Sequence, residues 1–469
     1  MITSVRSQKH SGSFRDPDGF LFFQDNVLYR QVNASCQQDY DLLMTSGLYS
    51  DLTTAGQLIP HTEAPLSLAA EPALAYKILQ PQRLPFIGYA YEWSFTQLKQ
   101  AALLTLAIQK KAIERGMSLK DATAYNVQFL DGRPVFIDTL SFEAYEEGSP
   151  WVAYRQFCQH FLAPLALMAL TDVRLSQLMR VYIDGIPLDL AGRLLPVKSK
   201  LNFGLLTHIH FHAGTQKKYE ARADWQPSEK PAGQKLPKMA LLGLIDSLEG
   251  TVEKLTWTPA GTEWGDYYEN TNYTSEAFQQ KRALVGRFIE RFQPATLWDF
   301  GANLGEFSRV ASEQGIFTVA FDIDPAAVEK NVRLIERNGD QNILPLVLDL
   351  TNPSPATGWA NTERHSVGDR GPVDTLMALA LIHHLAISNN LPLEHIADWF
   401  SQIARSLIIE FVPKSDSQVK RLLATREDVF PEYTPAGFEA AFSRYFTIEA
   451  QEPIPGSERT LYAMKSRVI

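Results

Sequence analysis

LWDFGANLGEFSR, residues 297–309, decides the fold of the C-terminal half of this 469-residue chain. An apolar run reaches its end near Asp299, a turn with Gly301 and Gly305 follows, and a helix is predicted after the second glycine. Glycine lets a backbone approach a ligand closely, and the start of a helix offers N–H groups. The stretch therefore predicts a strand, a glycine-rich loop and a helix that together form a ligand site.

Strand-like runs and amphipathic helices alternate on both sides of this stretch. The predicted strands are residues 296–300, 317–323, 343–350, 374–380 and 406–412, and the helices between them include 305–314 and 326–338. Such alternation predicts an α/β fold with a doubly wound, largely parallel sheet. The chain ends in YFTIEAQEPI and RTLYAMKSR, which read as an antiparallel pair.

Three acidic residues stand in register with the predicted strand ends. Asp299 precedes the first glycine of the loop, Asp322 follows 23 residues later, and Asp349 ends the third strand. The loop is not the Gly-x-Gly-x-x-Gly fingerprint of dinucleotide-binding sheets. An acid near the end of the second strand is placed to accept hydrogen bonds from ribose hydroxyls. The alternative is that this half is a Rossmann-like sheet that binds another nucleotide or is inactive.

This combination resembles class I S-adenosylmethionine-dependent methyltransferases, which have a Rossmann-like sheet and a reversed last strand. The resemblance implies that the glycine loop packs against the methionine part of S-adenosylmethionine. It implies that Asp322 holds the ribose, that Asp349 meets the adenine edge, and that Leu350 packs nearby. The implied cofactor site is Asp299, Gly301, Asn303, Gly305, Asp322, Asp349 and Leu350.

The methyl acceptor is expected beyond the fourth strand, over His383 and His384 and the segment after Glu410. An imidazole there can act as the base for an oxygen or nitrogen acceptor or simply contact the active site. The alternative is that the two histidines cap the strand or pack against the next helix. Tyr273 and Lys281, upstream, either touch the ligands or are a packing aromatic and a surface lysine.

The N-terminal half has a different pattern, which predicts an α+β domain. A hairpin is predicted around Asp25-Asn26 and a second around Asp131-Gly132. A helix is predicted over 94–115, where Ser94 and Gln97 form a capping box. Residues 150–215 are mostly helical and apolar, and the polar stretch that follows, rich in Pro, Lys and Gly, reads as a linker.

Asp-Phe-Gly at residues 299–301 spells the metal-binding triplet of kinases, but no catalytic loop precedes it. Asp121, Asn126 and Asp138 are better spaced for phosphoryl transfer, which needs a carboxylate to orient the hydroxyl and two groups to hold Mg²⁺. They resemble the catalytic and metal loops of aminoglycoside-phosphotransferase-type and protein kinases. That resemblance gives Asp121 the catalytic role and makes Asn126 and Asp138 the metal ligands of Mg-ATP.

The departures from the kinase pattern are substantial. Asp138 begins Asp-Thr-Leu, residues 1–90 contain no glycine-rich phosphate loop, and Lys77 lies only 44 residues before Asp121. Three readings stay open: an active kinase, a kinase-like fold that no longer phosphorylates, and an ordinary loop and hairpin. In the last reading, Asp121 and Asn126 cap turns.

Length and composition frame these readings. We expect a kinase-like domain over 1–215, a linker and connecting helix over 216–261, and a methyltransferase domain over 262–469.

A net charge of −9 argues against nucleic acid as the partner and leaves a small molecule or a protein as methyl acceptor. Two cysteines in no paired framework favour a reducing cytoplasm, and no apolar run is long enough for a membrane span.

As a whole, the chain resembles bacterial two-part proteins described as S-adenosylmethionine-dependent methyltransferases, some of them nodulation-related. Two other functions remain open. One is a regulatory module that binds S-adenosylmethionine without catalysis and is coupled to a pseudokinase. The other is an ATP-dependent phosphotransferase in the N-terminal half.

Overall fold

The computed structural model describes residues 8–211, 236–259, 275–424 and 426–469. Most of the expected linker and Tyr273 lie outside the described residues. The chain divides into a first unit, residues 1–258 with 357–364, and a second unit, residues 259–356 with 365–469. The first unit is therefore discontinuous in sequence, which the expected domain boundaries did not anticipate.

Sixteen strands are present in the described residues, numbered here in chain order. In the first unit they are β1 Gln8–Lys9, β2 Gly19–Gln24, β3 Val27–Asn33, β4 His61–Ala64, β5 Ala75–Pro81, β6 Met117–Leu119, β7 Val127–Leu130, β8 Arg133–Phe136 and β9 Phe142–Ala144. In the second unit they are β10 Thr296–Phe300, β11 Phe317–Asp322, β12 Ile343–Val347, β13 Val373–Ala378, β14 Ala404–Phe411, β15 Phe446–Pro453 and β16 Thr460–Ser466.

The α-helices of the described residues are numbered in the same way. In the first unit they are α1 Gln37–Thr45, α2 Leu48–Thr54, α3 Phe95–Glu114, α4 Tyr154–Phe157, α5 Ala163–Leu170, α6 Leu178–Val181, α7 Leu188–Leu194, α8 Phe203–Leu205 and α9 Lys238–Lys254. In the second unit they are α10 Ser275–Phe292, α11 Ser308–Ser312, α12 Pro325–Asn338, α13 Leu393–Ile403, α14 Ser417–Leu423 and α15 Pro435–Phe442.

The first unit carries an antiparallel five-stranded sheet in the order β1-β2-β3-β5-β4. Both predicted hairpins form, and Asp25, Asn26 and Asp131 adopt the positive φ that tight hairpin turns need. Helix α3 is confirmed with its capping box, since Ser94 Oγ accepts from the backbone N–H of Gln97. The two hairpins and the long helix predicted for this unit are therefore present.

The segment Thr357–Arg364 completes the first unit. Arg15 binds the carboxylate of Glu363, whose side chain is only 1% exposed. The guanidinium of Arg364 lies 3.9 Å above the ring of Tyr125. A cation over an aromatic face and a charge-assisted hydrogen bond both hold this short segment in place.

The second unit is built on a seven-stranded sheet in the order β12-β11-β10-β13-β14-β16-β15. Strands β10 to β14 pair in parallel, and β16 pairs antiparallel with both β14 and β15. The expected α/β fold with a largely parallel sheet and a reversed last strand is confirmed. Because β10 has β11 on one side and β13 on the other, the strand order reverses there, and ligands bind at such switch points.

Apolar side chains of α10 cover one face of the sheet. Val285 and Ile289 of that helix are fully buried and pack with Leu297, Met377 and Ile408 of the neighbouring strands. Burial of this kind contributes roughly 2 kcal/mol for each large aliphatic side chain. The sheet therefore has a firm core beneath its carboxyl edge, where the loops after β10, β11 and β12 lie.

Among the described residues, no helix combines the length and the apolarity that crossing a bilayer requires.

Candidate functional site

A cavity of about 330 Å³ opens at the carboxyl ends of the central strands of the second unit. Its size lies at the lower end of the range of roughly 300–1,000 Å³ that is usual for small-molecule sites. Most of the predicted cofactor residues line it together. They are Asp299, Gly301, Asn303, Asp322, Asp349 and Leu350. The register of acids seen in the sequence therefore places these side chains around one space.

The glycine loop is shaped by left-handed backbone conformations. Gly301 has φ of +78° and Asn303 has φ of +51°. The amides of Gly301 and Ala302 both donate to the carbonyl of Phe321, each over 2.9 Å. These bonds hold the loop against the end of β11 and leave Gly301 facing the cavity, where a side chain would narrow it.

Gly305 was predicted as a cofactor residue, but it is not among the residues that line the cavity. Its φ is +77°, and a Cβ at this position would lie 2.6 Å from Nδ2 of Asn331 and 2.9 Å from Nη1 of Arg309. Only a glycine fits between these side chains without rearrangement. In this structure Gly305 therefore allows the loop to pack closely against Asn331 and Arg309 and does not face the cavity.

Asp299 ends up in a nearly water-free position, 2% exposed. Burial raises the pKa of its carboxyl to about 7, although a hydrogen bond from Ser308 Oγ at 2.6 Å and the nearby Lys281 ammonium oppose the rise. A group with this pKa exchanges protons near neutral pH. Asp299 can therefore take up or release a proton when a ligand binds.

Asp322 lies at the end of β11 with 8% of its surface exposed. Its Oδ2 accepts the backbone N–H of Asn303 at 2.8 Å and its Oδ1 that of Asp324 at 2.9 Å. Burial raises the pKa of Asp322 to about 6, and the backbone hydrogen bonds limit the rise. Each oxygen has a second lone pair, so the carboxylate can still accept from two hydroxyls.

Asp324, by contrast, starts the next helix, because its Oδ1 accepts from the backbone N–H of Ala326 at 2.8 Å. Asp349 and Leu350 form the far wall of the cavity, just after β12. Asp349 is half-buried, and its Oδ1 accepts from both the backbone and the hydroxyl of Thr351, at 2.8 and 2.7 Å. These contacts fix the carboxylate in place beside an apolar surface.

The two predicted histidines differ in position. His384 lines the cavity, whereas His383 does not and is 2% exposed. Their rings lie 4.1 Å apart. Burial lowers the pKa of His384 to about 4, with Arg459 contributing, and burial together with His384 lowers that of His383 well below its ordinary value. Both imidazoles are therefore neutral at neutral pH, and His384 is the one placed to meet a ligand.

Lys281 also lines the cavity and is 2% exposed, so it is not a surface lysine. Its Nζ donates to Oε2 of Glu410 at 2.6 Å and lies 4.6 Å from the centre of the Phe307 ring. Sequence reasoning missed Glu410 as a site residue. The sequence did contain a signal for Glu410. It is an acid near the end of a buried apolar strand, and the same pattern led to the prediction of Asp322.

The kinase-like candidates of the first unit lie close to one another. Asn126 Nδ2 donates to Ser141 Oγ at 3.1 Å, and that hydroxyl donates to Asp138 at 2.5 Å. Asp121 accepts the backbone N–H of Thr123 at 2.9 Å, which is an Asx turn. Burial raises the pKa of Asp121, and the charge of Asp138 adds to the rise.

Arg30 of β3 binds the carboxylate of Asp138, and both side chains are about 15% exposed. Burial opposes ionisation of Asp138, but Arg30 and Ser141 outweigh it and hold its pKa below the ordinary value. Lys77 of β5 is paired with Glu63 on the neighbouring strand at 2.7 Å. The expected magnesium ligand is thus bound by a cation of the protein itself.

The residues predicted to hold Mg²⁺ bind other side chains of the protein in this structure. In the part of the chain that the structure describes, no three His, Cys, Asp or Glu side chains are grouped to hold a metal ion. Mg²⁺ needs near-octahedral oxygen ligands, and in this structure Oδ1 of Asp138 binds Arg30 while its Oδ2 accepts from Ser141 Oγ. The expectation of Mg-ATP bound through Asn126 and Asp138 therefore finds no support in the geometry.

Comparison with known proteins gives one relative along nearly the full length. Nodulation protein NoeA of Rhizobium meliloti (strain 1021) is 36% identical over an alignment of 475 positions, which covers 99% of this chain and 98% of the relative. No protein-family model matches the chain.

Several solved structures resemble part of the chain. Magnesium protoporphyrin IX methyltransferase from Synechocystis PCC 6803 is 16% identical with a TM-score of 0.31, covering 43% of this chain and 92% of its own. The N-methyltransferase NodS from Bradyrhizobium japonicum WM9 is 10% identical with a TM-score of 0.31, covering 41% and 97%. The bifunctional kinase-methyltransferase WbdD is 13% identical with a TM-score of 0.29, covering 46% and 45%.

Proposed function

The chain belongs to the family of nodulation protein NoeA, and we propose that its C-terminal half is an S-adenosylmethionine-dependent methyltransferase. The observation that carries the proposal is the cavity at the switch point of the sheet. One wall holds the glycine loop, the second holds Asp322, the third holds Asp349 and Leu350, and His384 lies on the acceptor side. The acceptor is a small molecule or a protein.

The donor set fits this cofactor. Ribose hydroxyls need a carboxylate with open lone pairs, and Asp322 at the end of β11 supplies one. An adenine ring needs an apolar surface with a hydrogen-bonding group at its edge, and Leu348, Leu350 and Asp349 supply both. A positively charged methionine end needs nearby carboxylates, and Asp299 faces the same space. Bound S-adenosylmethionine would supply an electrophilic methyl group.

The protein's contribution to the reaction is to position the reactants and exclude water. The lining on the acceptor side is mostly apolar, with Leu381, Leu385 and Leu422 beside His384. Such a surface removes water from the acceptor and strengthens the remaining electrostatic contacts. Orientation of the acceptor lone pair toward the methyl group then accounts for much of the rate.

His384 is neutral at neutral pH and is therefore able to accept a proton or a hydrogen bond from the acceptor. Its lowered pKa makes it a weak base, because a good general base has a pKa near the working pH. We assign His384 to orientation of the acceptor, with proton uptake as its secondary role. His383, which does not line the cavity, supports the ring of His384 from behind.

The test measures binding and transfer separately. Isothermal titration of the full-length protein with S-adenosylmethionine and S-adenosylhomocysteine measures cofactor binding. Incubation of bacterial extract with the protein and isotopically labelled S-adenosylmethionine then measures transfer to small molecules and to proteins. We expect binding and a labelled product. Binding without any labelled product would favour the regulatory module, and absence of binding would refute the proposal.

For the N-terminal half, we propose a kinase-like domain over residues 1–215 that does not transfer phosphate. The supporting observation is the pair between Arg30 and Asp138, whose side chains are only 14% and 15% exposed. A phosphotransferase needs that carboxylate for Mg²⁺. An active phosphotransferase would have to break this pair, so assay with Mg-ATP and small hydroxyl compounds should give no phosphorylated product.

A further inference from the structure

Three exposed apolar side chains lie close together in the first unit, between α7 and α8. A 3₁₀ helix, Val197–Leu201, connects these two helices, and Phe203 follows it at the start of α8. Val197 is 81% exposed, Leu201 89% and Phe203 75%. We call these three side chains the apolar tip. Single exposed apolar residues are common on soluble proteins, but neighbouring ones mark a surface that binds something.

The geometry of the 3₁₀ helix turns its side chains outward. Such a helix has three residues per turn, so few of its residues can face the interior. Ser199 is the one that does, since it is 2% exposed and its Oγ lies 2.9 Å from Nε2 of His210. The other four residues of the helix are exposed to solvent. They are Val197, Lys198, Lys200 and Leu201.

The backbone that carries Phe203 is packed closely against α9. A Cβ at Gly204 would overlap with Oγ1 of Thr251, so the backbone of α8 is in direct contact with that helix. Asn202 caps α8, since its side chain accepts the backbone N–H of Leu205 at 3.1 Å. The exposure of Phe203 is therefore fixed by the packing around it.

The 3₁₀ helix also carries positive charge. Among the described residues, no carboxylate lies within ion-pair distance of the amino group of Lys198 or Lys200. Leu201 and Phe203 line a groove that also contains Lys254 and Asp246, so the groove itself is mixed in charge. The excess of positive charge lies outside the groove, on the 3₁₀ helix.

This combination of lysines with exposed apolar side chains favours a lipid bilayer over a protein partner. Lysine is depleted at interfaces between proteins. At a bilayer surface, in contrast, apolar side chains enter the boundary between headgroups and acyl chains, and lysines beside them attract anionic headgroups. Contact of this kind takes place at the surface of the bilayer and needs no spanning helix.

We propose that the apolar tip, together with Lys198 and Lys200, is a docking surface for a bilayer that contains anionic lipid. Leu201 and Phe203 enter between the lipids, and the two lysines bind phosphate groups. The contact is reversible, because a small apolar area with a few charges gives weak binding. The inference does not depend on the proposed function, since the tip belongs to the first unit and the cofactor cavity to the second.

The test measures co-sedimentation of the full-length protein with lipid vesicles. One set consists of phosphatidylcholine, and the other of equal parts of phosphatidylcholine and the anionic phosphatidylglycerol. We expect partition into the anionic vesicles, weakened by added salt because salt screens the headgroups. Leu201→Ser with Phe203→Ser should lower this partition about tenfold or more, because the polar side chains remove the apolar area that is buried in lipid.

Lys198→Gln with Lys200→Gln should lower the partition into anionic vesicles roughly tenfold. Lys420→Gln with Lys465→Gln is the matched control, since both lysines are exposed in the second unit and the change in net charge is the same. Val429→Ser is the control for the apolar change, because Val429 is 60% exposed in the second unit. The altered side chains are all exposed, so the variants should fold, which circular dichroism verifies.

The inference would be overturned if the unmodified protein did not partition into anionic vesicles, or if Leu201→Ser with Phe203→Ser behaved like Val429→Ser. Equal losses in the two lysine variants would also overturn it, because the effect would then come from net charge alone. If the vesicles are not bound and the apolar variant has a lower mass in light scattering than the unmodified protein, the tip joins two copies of the chain instead.

Discussion

The backbone N–H of Asn303 donates to Oδ2 of Asp322 over 2.8 Å, which ties the glycine loop after β10 to the end of β11. Asn303 is in the left-handed conformation and Asp322 is 8% exposed. One carboxylate therefore does two things: it fixes the shape of the loop and presents its remaining lone pairs to the cavity. A change at Asp322 should affect the ligand more strongly than the fold.

Asp322→Asn should weaken S-adenosylhomocysteine binding at least about tenfold, because charge-assisted hydrogen bonds contribute roughly 1.5–3 kcal/mol each. The asparagine oxygen can still accept from Asn303, but the amide NH2 cannot accept from the backbone N–H of Asp324, so a small loss of stability is also expected. Isothermal titration measures the affinity, with circular dichroism to verify the fold. Asp398→Asn is the control, since Asp398 belongs to α13 and does not line the cavity. Equal affinity in Asp322→Asn and the unmodified protein would show that the ribose position is wrong.

Asp299 should make the stability of the ligand-free protein depend on pH. Its folded pKa of about 7 lies above the ordinary value of 3.8, so the folded state holds a proton that the unfolded state releases. The stabilisation from that proton is complete below about pH 4 and is lost as the pH rises to about 7. Asp322 has a raised pKa of about 6, so its proton also stabilises the folded protein at low pH and is lost as the pH rises.

Asp299→Asn should therefore stabilise the protein more at pH 7.5 than at pH 5, by roughly 2–4 kcal/mol in the limit of full burial. The amide still accepts from Ser308, so the comparison isolates the charge. Urea unfolding of both proteins at the two pH values measures the difference in unfolding free energy. Parallel pH dependence in the two proteins would contradict the raised pKa.

Gly305→Ala should cost more stability than a change to alanine at a glycine with the same backbone conformation. Gly305 and Gly339 have φ of +77° and +71°, but a Cβ at Gly305 meets Asn331 at 2.6 Å, whereas one at Gly339 meets nothing within 4 Å. Gly339→Ala should therefore cost about 1 kcal/mol from the conformation alone. Gly305→Ala should cost about 1–3 kcal/mol more from crowding. Thermal or urea unfolding compares them, and equal losses would mean that the neighbouring side chains move aside freely.

Much of the second unit could be predicted because its signals are local. Apolar strands alternated with amphipathic helices, and the acids Asp322 and Asp349 stood at or just after strand ends. The predicted strand 343–350 ends earlier, at Val347, because Asp349 forms a side-chain turn with Thr351. The predicted helix 305–314 shortens to Ser308–Ser312, since Gly305 has a left-handed conformation and belongs to the loop.

Other features had no local signal. Arg30 and Asp138 are 108 residues apart, and nothing in either segment indicates that the two side chains meet. Membership of Thr357–Arg364 in the first unit is likewise a matter of tertiary contacts, such as that between Arg364 and Tyr125. Spacing alone matched Asp121, Asn126 and Asp138 to the kinase pattern, because spacing does not show which charge a carboxylate will bind.

Asp138→Asn should destabilise the first unit by about 3 kcal/mol, because it leaves Arg30 without its partner in a place where its side chain is only 14% exposed. Adding Arg30→Met should recover much of that loss, since the double variant buries no unmatched charge. The matched control is Glu63→Gln, which breaks the more exposed pair with Lys77 and should cost less than about 1 kcal/mol. Urea unfolding of the unmodified protein, Asp138→Asn, Arg30→Met and the double variant gives the coupling energy.

The same proteins test whether Asp138 holds a metal. Mg-ATP should leave the melting temperature of the unmodified protein unchanged, because Arg30 already binds the carboxylate that the metal would need. If Mg-ATP raised that temperature and Asp138→Asn abolished the rise, the ion pair would have to open for the nucleotide. Asp138 would then be a metal ligand and the first unit a candidate phosphotransferase. An unchanged melting temperature together with a strong Arg30–Asp138 coupling energy would show that Asp138 serves an ion pair of the protein and that Mg-ATP does not stabilise the first unit.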